Sequence, residues 1–242
     1  MHHDETIEAF LDAGDIAGVI RPIKSGKEAS VYLCRANGST RGPELLAAKV
    51  YRPRDHRAFR NDAAYKAGRV FTEGRDRRAV QRRSSFGRGL EEALWIDHEY
   101  EVLRTLHASG ADVPEPIVMR ERGILMEYVG DERDPAPQLR QVRLDPGEAA
   151  AAFERLIWNV ELALSHNVIH ADLSPFNVLW WEGRMTIIDF PQAVDPRSNR
   201  NAQGLLARDV EHVCAHFRKA GVPADPEAIL RDLWVRFLFA EL

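Results

Sequence analysis

At 242 residues with 45% hydrophobic side chains, the chain can bury a substantial core, as one domain or as two small lobes. Its formal charge of −4 gives no overall attraction to nucleic acid or a membrane surface, and no apolar run approaches transmembrane length. The segment from Met1 to Phe10 is acidic and polar, unlike a signal peptide, and Cys34 and Cys214 form no C-x-x-C pair. The expectation is a cytoplasmic protein with two reduced thiols and no membrane partner.

The first expected element is a hairpin, with Val19 to Ile23 leading through a turn at Ser25-Gly26-Lys27-Glu28 into Ala29 to Cys34. A loop that cradles phosphates with backbone N–H groups has the form G-x-G-x-x-G-x-V. Laid on this pattern, the glycine positions fall on Lys24, Gly26 and Ala29 and the valine on Val31, so one glycine survives. Small side chains at Ser25, Gly26 and Ala29 still let backbone amides approach a phosphate. Ser25, Gly26, Lys27 and Val31 are therefore candidate nucleotide-binding residues, with an ordinary hairpin as the competing reading.

Leu45 to Tyr51 reads as a continuous apolar strand holding one charge, Lys49, two residues after Ala47. A charge inside a buried strand is expensive unless paired. The functional reading is a lysine for the α- and β-phosphates; the plain one is an edge-strand lysine that discourages aggregation. Its partner is sought on the helix Glu91 to Ala108, where Ile96, Tyr100, Leu103 and Leu106 recur at near-helical spacing. Glu99 lies one step from that stripe and is the choice, ahead of Glu92 and Glu101.

Between strand and helix, residues 52–88 carry twelve Lys or Arg against four Asp or Glu, a local excess of about +8. Phe59, Tyr65, Phe71 and Phe86 are interleaved with them. Basic residues with stacking aromatics suit a phosphate backbone, RNA above all. The alternative is a flexible insertion that folds over nucleotide or protein substrate, its arginines solvated.

Ile124 to Gly130 reads as a buried strand that breaks at the glycine. In a two-lobed kinase such a break is where a linker passes the adenine, which would put an N-terminal lobe over 1–126, a hinge over 127–130 and a C-terminal lobe over 131–242. Met126, Glu127 and Val129 are the candidate adenine-side residues, the last two through backbone groups, and Ala47 joins them as cofactor-binding. The helix Gly147 to His166 then places Phe153, Leu156, Ile157, Val160 and Leu164 on one face as packing.

Val168-Ile169 and Val178 to Trp181 read as short buried strands around His170-Ala171-Asp172-Leu173-Ser174-Pro175-Phe176-Asn177, and Met185 to Ile188 as a third, ending at Asp189. Asp and Asn in loops are commonly plain turn formers. Here their order and spacing match the H-R-D-x-x-x-x-N loop and downstream aspartate used for phosphoryl transfer from a nucleotide. ATP brings about four negative charges, so hard oxygen ligands must hold the Mg²⁺ that neutralises them; Asn177 and Asp189 supply these. Asp172, free of metal, receives or orients the proton of the attacking hydroxyl. Two amphipathic helices, Leu205 to Arg218 and Pro226 to Ala240, follow. Asp189 continues as Phe190-Pro191-Gln192 rather than D-F-G, no A-P-E occurs, and 53 residues remain. The expectation is a substrate not gripped by the usual peptide-docking surface.

These residues resemble the RIO family of atypical serine protein kinases. The resemblance rests on Ser25 to Tyr32, Ala48 to Tyr51, Val113-Pro114-Glu115-Pro116, Pro135 to Leu139, His170 to Asn177 and Ile187 to Val194, and spans roughly Val19 to Phe217. It implies an α+β fold: a trimmed two-lobed kinase with an antiparallel N-lobe sheet plus helix and a mainly helical C-lobe. It implies ATP with Mg²⁺ or Mn²⁺, and serine phosphorylation or ATP hydrolysis, with a protein substrate unspecified. By carry-over Lys49 contacts phosphate, Asp172 is the catalytic acid/base, and Asn177 and Asp189 hold metal, Asp189 being also a candidate phosphate acceptor. Relatives act in small-subunit ribosome maturation, which makes an RNA–protein partner an expectation. Pro175-Phe176 and Phe190-Pro191 depart from the family pattern.

Two other classes stay open on these residues. An aminoglycoside- or choline-kinase-like small-molecule phosphotransferase shares H-x-D-x-x-x-x-N and I-D-F but usually has a larger helical C-lobe. A non-catalytic, nucleotide-dependent RNA-binding module would bind RNA without turnover.

Overall fold

In the computed structural model, residues 5–38, 43–52 and 85–242 are described, those of 85–93 in backbone only; the expected basic stretch falls almost wholly outside them, at 53–84. The contacts of the chain divide it into two units. The first holds described residues 5–38, 43–52, 85–101 and 114–135, and the second 102–113 and 136–242. The sequence reading ended its first lobe at 126; by contacts 131–135 go with the first unit and 102–113 with the second.

The first unit is built on a five-stranded antiparallel sheet in the order β1-β2-β3-β5-β4. The strands are β1 (Ile16–Ser25), β2 (Ala29–Ala36), β3 (Leu45–Tyr51), β4 (Pro116–Arg120) and β5 (Gly123–Glu127). β3 lies in the middle, which explains its unbroken apolar run: a strand covered on both faces has no polar side. Alternate residues go opposite ways. Leu46, Ala48 and Val50 pack with Ile7 and Phe10 of helix α1 (Glu5–Asp12), and with Ile16, Cys34 and Leu125. Lys49 and Tyr51 instead meet Glu99 and Trp95 of helix α2 (Ser85–Ala108).

The sequence reading missed α1, although Ile7, Phe10 and Leu11 have the i, i+3, i+4 spacing of a buried face. It crosses β5 closely at Gly123, where an added Cβ would lie 2.5 Å from Thr6 Cγ2 and 3.0 Å from Phe10 Cε2. The sequence reading also proposed no strand at β4; as an edge strand beginning at proline it has little need of the missing donor. α2 starts at Ser85, so the last four residues of the expected basic insertion are helical.

The second unit contains helices α3 (Pro146–Ser165), α4 (Ala202–Lys219) and α5 (Pro226–Leu238), with a two-stranded ribbon of β6 (Val178–Trp181) and β7 (Arg184–Ile187). Asp145 caps α3 through the N–H of Glu148 at 2.8 Å, the Glu148 carboxylate returns to the Asp145 N–H at 3.0 Å, and Pro146 sits where no donor is needed. On α5, Asp225 accepts the N–H groups of Glu227 and Ala228, and Pro226 again follows the cap. Phe153 of α3 meets Phe217 of α4 edge-on at 5.4 Å. Asp112 ties the unit together: Arg155 grips its carboxylate at 2.6 and 2.9 Å, buried Asn159 donates to it at 2.7 Å, and its C=O accepts the Ile187 N–H at 2.7 Å.

One expected strand does not form. Val168-Ile169 makes a single antiparallel bridge, Ile169 to Val194, rather than a strand. Asn167 at φ 60° and Ala171 at φ 65° turn the backbone on either side, so no longer run can extend. Asp189 at φ 73° likewise turns the chain just past β7. Among the described residues, no helix is long and apolar enough to cross a membrane.

Candidate functional site

In the first unit the candidate residues group around β3. The turn between β1 and β2 closes by the Gly26 N–H donating to Ala29 O at 2.9 Å, which leaves Ser25, Gly26 and Lys27 at the hairpin tip. Arg52 braces it: the guanidinium donates to Ser25 Oγ at 2.6 Å and the Arg52 N–H to Glu28 O at 2.9 Å. Val31 pairs in register with Lys49, and Ala47 with Met126, so these four lie on three adjacent strands. Lys49 Nζ donates to Glu99 Oε1 at 2.7 Å, with 13% of the lysine side chain and 1% of the glutamate side chain exposed. The second oxygen of Glu99 accepts from Tyr51 OH, while Tyr51 stacks edge-on against Trp95 at 5.2 Å. Glu99 is thus fixed by two donors from one face of β3. The expected pairing forms, and Tyr51 is an addition that the sequence reading did not single out.

At the end of β5, the Glu127 N–H donates to Glu115 O at 2.8 Å and the Glu115 N–H donates to the Glu127 carboxylate at 3.2 Å. The Val129 N–H donates to nothing among the described residues.

In the second unit the ribbon sets the geometry. Val178 pairs with Ile187, and the Ile188 N–H donates to Asn177 O at 2.9 Å, so Asn177 and Asp189 stand at the same end of the ribbon. Asn177 Nδ2 donates to Asp172 O at 2.9 Å, with Asp172 Oδ2 at 3.4 Å. That arrangement turns the amide nitrogen toward Asp172 and leaves Oδ1 of Asn177 without a donor among the described residues. Asp172 itself is exposed.

Behind these residues the loop is held by groups to which the sequence reading assigned no role. His170 accepts the Asp172 N–H on Nδ1 at 3.3 Å and lies 3.2 Å from Ile188 O through Nε2, so the neutral ring protonated on Nε2 satisfies both. Its ring packs on Phe190 at 4.5 Å. Asp209 of α4, 1% exposed, accepts the Ala171 N–H at 2.7 Å and the Leu173 N–H at 2.9 Å. Its neighbour Arg208 donates to Ala171 O. Burial pushes the Asp209 carboxyl up to about 7, against the pull of the two N–H groups. A signal for Asp209 existed: it shares the buried stripe of Leu206, Val210, Val213 and Phe217, where a carboxylate is out of place.

The donors present fit a hard divalent cation. Asp189 offers a carboxylate and Asn177 an amide oxygen, and Mg²⁺ typically takes one or two such ligands and completes its shell with phosphates and water.

The fold is the α+β protein-kinase-like one. It resembles the structure of the Rio2 kinase–ADP/Mg²⁺–phosphoaspartate complex from Chaetomium thermophilum with a TM-score of 0.68 at 23% identity, covering 94% of this chain and 64% of that one. The RIO domain model matches residues 30–229, and the chain belongs to that family. Serine/threonine-protein kinase rio1 of Schizosaccharomyces pombe is 27% identical over 87% of this chain and 40% of its own length. RIO-type serine/threonine-protein kinase Rio1 of Haloferax volcanii is 29% identical over 92% of this chain and 71% of its own. The chain therefore spans about two fifths of the yeast relative and most of the archaeal one.

Proposed function

We propose that this chain is a RIO-type serine/threonine protein kinase. It moves the γ-phosphoryl group of ATP to a protein hydroxyl, its own included, and hydrolyses ATP when no hydroxyl is offered. The observation that carries this reading is the ribbon end, where Asn177 and Asp189 stand together with the Asn177 amide turned onto Asp172. A loop serving only as a turn does not require a buried carboxylate behind it to fix two of its N–H groups.

In this reading Lys49, oriented by Glu99, contacts the α- and β-phosphates. The tip at Ser25, Gly26 and Lys27, with Val31, lies against the phosphates and ribose. Ala47, Met126, Glu127 and Val129 take the adenine, Val129 through its uncommitted N–H. Asn177 Oδ1 and Asp189 hold Mg²⁺ or Mn²⁺, which when bound neutralises charge on the transferring phosphate. Asp172 accepts the hydrogen bond of the acceptor hydroxyl and receives its proton as the new O–P bond forms and the bond to ADP breaks. Asp189 also serves as a transient acceptor. Its oxygen bonds to the γ-phosphorus as ADP leaves, and water then releases phosphate, in keeping with the phosphoaspartate in the Rio2 complex named above.

The finer part of the proposal is the partner. The basic, aromatic-rich residues 52–88 support RNA or a ribosomal particle as the surface on which a cytoplasmic enzyme of this kind works.

Calorimetric titration with Mg·ATP tests the assignments residue by residue. Lys49→Ala is expected to weaken ATP binding by at least about tenfold, the loss of one strong charge contact. Asp189→Ala is expected to abolish the dependence of binding on the divalent ion. Binding at wild-type strength in the first, or with wild-type metal dependence in the second, removes that residue from the role.

A further inference from the structure

The segment just before α3 is clasped onto the loop that carries Asp172. Gln138 makes an antiparallel bridge with Leu179, and the Trp180 N–H donates to Pro137 O at 2.9 Å. The Arg140 N–H donates to Pro175 O at 3.2 Å, and Gln138 Nε2 to Phe176 O at 2.8 Å. A 3-10 turn, Leu139–Gln141, anchors the clasp through Leu139, which is fully buried. The outcome is an exposed pair: the Phe176 ring, 55% exposed, with the Arg140 guanidinium 4.5 Å from its centroid.

Arg140 lacks the ion pair that four other arginines of this unit make. Arg155, Arg197, Arg218 and Arg236 each direct the guanidinium to a carboxylate. Arg140 directs Nε to Gln138 Oε1 at 2.8 Å and one face to Phe176. Its two Nη groups have no partner among the described residues. An exposed arginine is ordinarily free to sample many rotamers, yet this one is fixed from two sides with its fork open. Phe176 immediately precedes Asn177, whose amide is bonded to Asp172. The open fork therefore rests against the loop that carries the residue proposed to take the acceptor's proton. Arg143, also exposed, follows three residues on.

We infer that Arg140, held on Phe176, receives an acidic side chain of the protein substrate beside the acceptor hydroxyl, so that this chain selects acidic peptide segments. This deepens the kinase reading above and rests on it. A guanidinium fork matches the two oxygens of a carboxylate, and its charge offsets the repulsion that exposed Asp172 exerts on such a segment. Base stacking is disfavoured as the alternative, because one face of the Phe176 ring already carries Arg140.

The test uses the full chain and three fluorescent heptapeptides with one central serine, flanked by Glu, Gln or Lys, with binding read by anisotropy. The wild type is expected to bind the Glu peptide about tenfold more tightly than the Gln peptide, the effect of one charge-assisted contact. Arg140→Glu is expected to lose that preference and gain affinity for the Lys peptide, while keeping its thermal midpoint and its affinity for Mg·ATP. Phe176→Ala is expected to reduce the preference without reversing it. Equal binding of the Glu and Gln peptides by the wild type overturns the inference, as does an Arg140→Glu variant with wild-type preference. So does a result in which a single-stranded RNA oligonucleotide, rather than the Glu peptide, loses affinity in Arg140→Glu. Binding is read without turnover, so a chain that selects the Glu peptide but never transfers phosphate would refute the kinase reading alone and leave Arg140 as a receptor for acidic segments.

Discussion

The carboxylate of Asp209 accepts the backbone N–H of Ala171 at 2.7 Å, two positions before the next N–H it holds. A residue with 1% exposure on α4 thereby fixes the loop carrying Asp172 from behind. Asp209→Ala leaves two buried N–H groups without an acceptor, an expected loss of about 2–5 kcal/mol in urea unfolding. The displaced loop is expected to lower phosphotransfer at least about a hundredfold, since misplacing a reacting group by about 1 Å has that effect. Asp209→Asn keeps one acceptor and is expected to fall between.

The same residue predicts a pH dependence. Its folded-state pKa of about 7 stands above the ordinary 3.8. Between these values the folded chain holds a proton that the unfolded chain has released, so stability falls as pH rises from about 4 to about 7 and levels off above. Other carboxylates add slopes of their own, so the measurement is the difference between wild type and Asp209→Asn. That difference should descend through the window; a flat difference curve contradicts the assignment.

Lys49, Tyr51 and Glu99 give a graded series. Removing Lys49 takes the charged donor from a buried carboxylate, an expected loss of about 3 kcal/mol, at the low end for a broken buried pair because Tyr51 still donates. Tyr51→Phe removes the hydroxyl donor and is expected to lose about 1–2 kcal/mol while retaining measurable phosphotransfer. Denaturation midpoints and initial rates for both variants separate the two contributions.

This triad also marks where the sequence was legible. A lone lysine in a continuous apolar strand has to find a partner, and helical spacing places Glu99 next to a buried stripe; that reasoning needs no coordinates. The ribbon was readable in the same way, since two short apolar runs separated by Glu182-Gly183 could only fold back on each other. Asp209 was not found because a carboxylate in an amphipathic helix ordinarily faces water, and only the position of the loop makes its burial favourable. Tyr51 looked like one more apolar strand residue. β4 opens on a proline, a residue that argues against a strand except at a sheet edge. Arg140 and Phe176 come together through backbone bonds between segments far apart in sequence, which no local pattern announces.

Ala171 at φ 65° occupies a region unfavourable for a residue with a Cβ by about 1–2 kcal/mol. Ala171→Gly removes that penalty but loses unfolded-state entropy, so its net effect is expected to stay within about 1 kcal/mol. Ala171→Val, β-branched and buried, is expected to destabilise by about 2 kcal/mol or more. Chemical denaturation of the pair checks the sign of each change.

Gly123 predicts an effect far from the candidate site. An added methyl would meet Thr6 and Phe10 at 2.5 and 3.0 Å, so Gly123→Ala has to push α1 from the sheet. The expected loss is about 1–3 kcal/mol. Faster amide exchange in α1 than in α3 would accompany it, because only the first unit is disturbed.

The central claim is tested most directly by incubating the chain with γ-labelled ATP and Mg²⁺ and comparing it with Asp189→Asn. Asparagine tolerates the same left-handed backbone, so the variant is expected to remain folded. The account predicts label in protein serine and in free phosphate for the wild type, an acid-labile fraction on aspartate, and loss of all three in Asp189→Asn. Wild-type labelling in the folded variant, or no transfer and no phosphate release by the wild type, would contradict it.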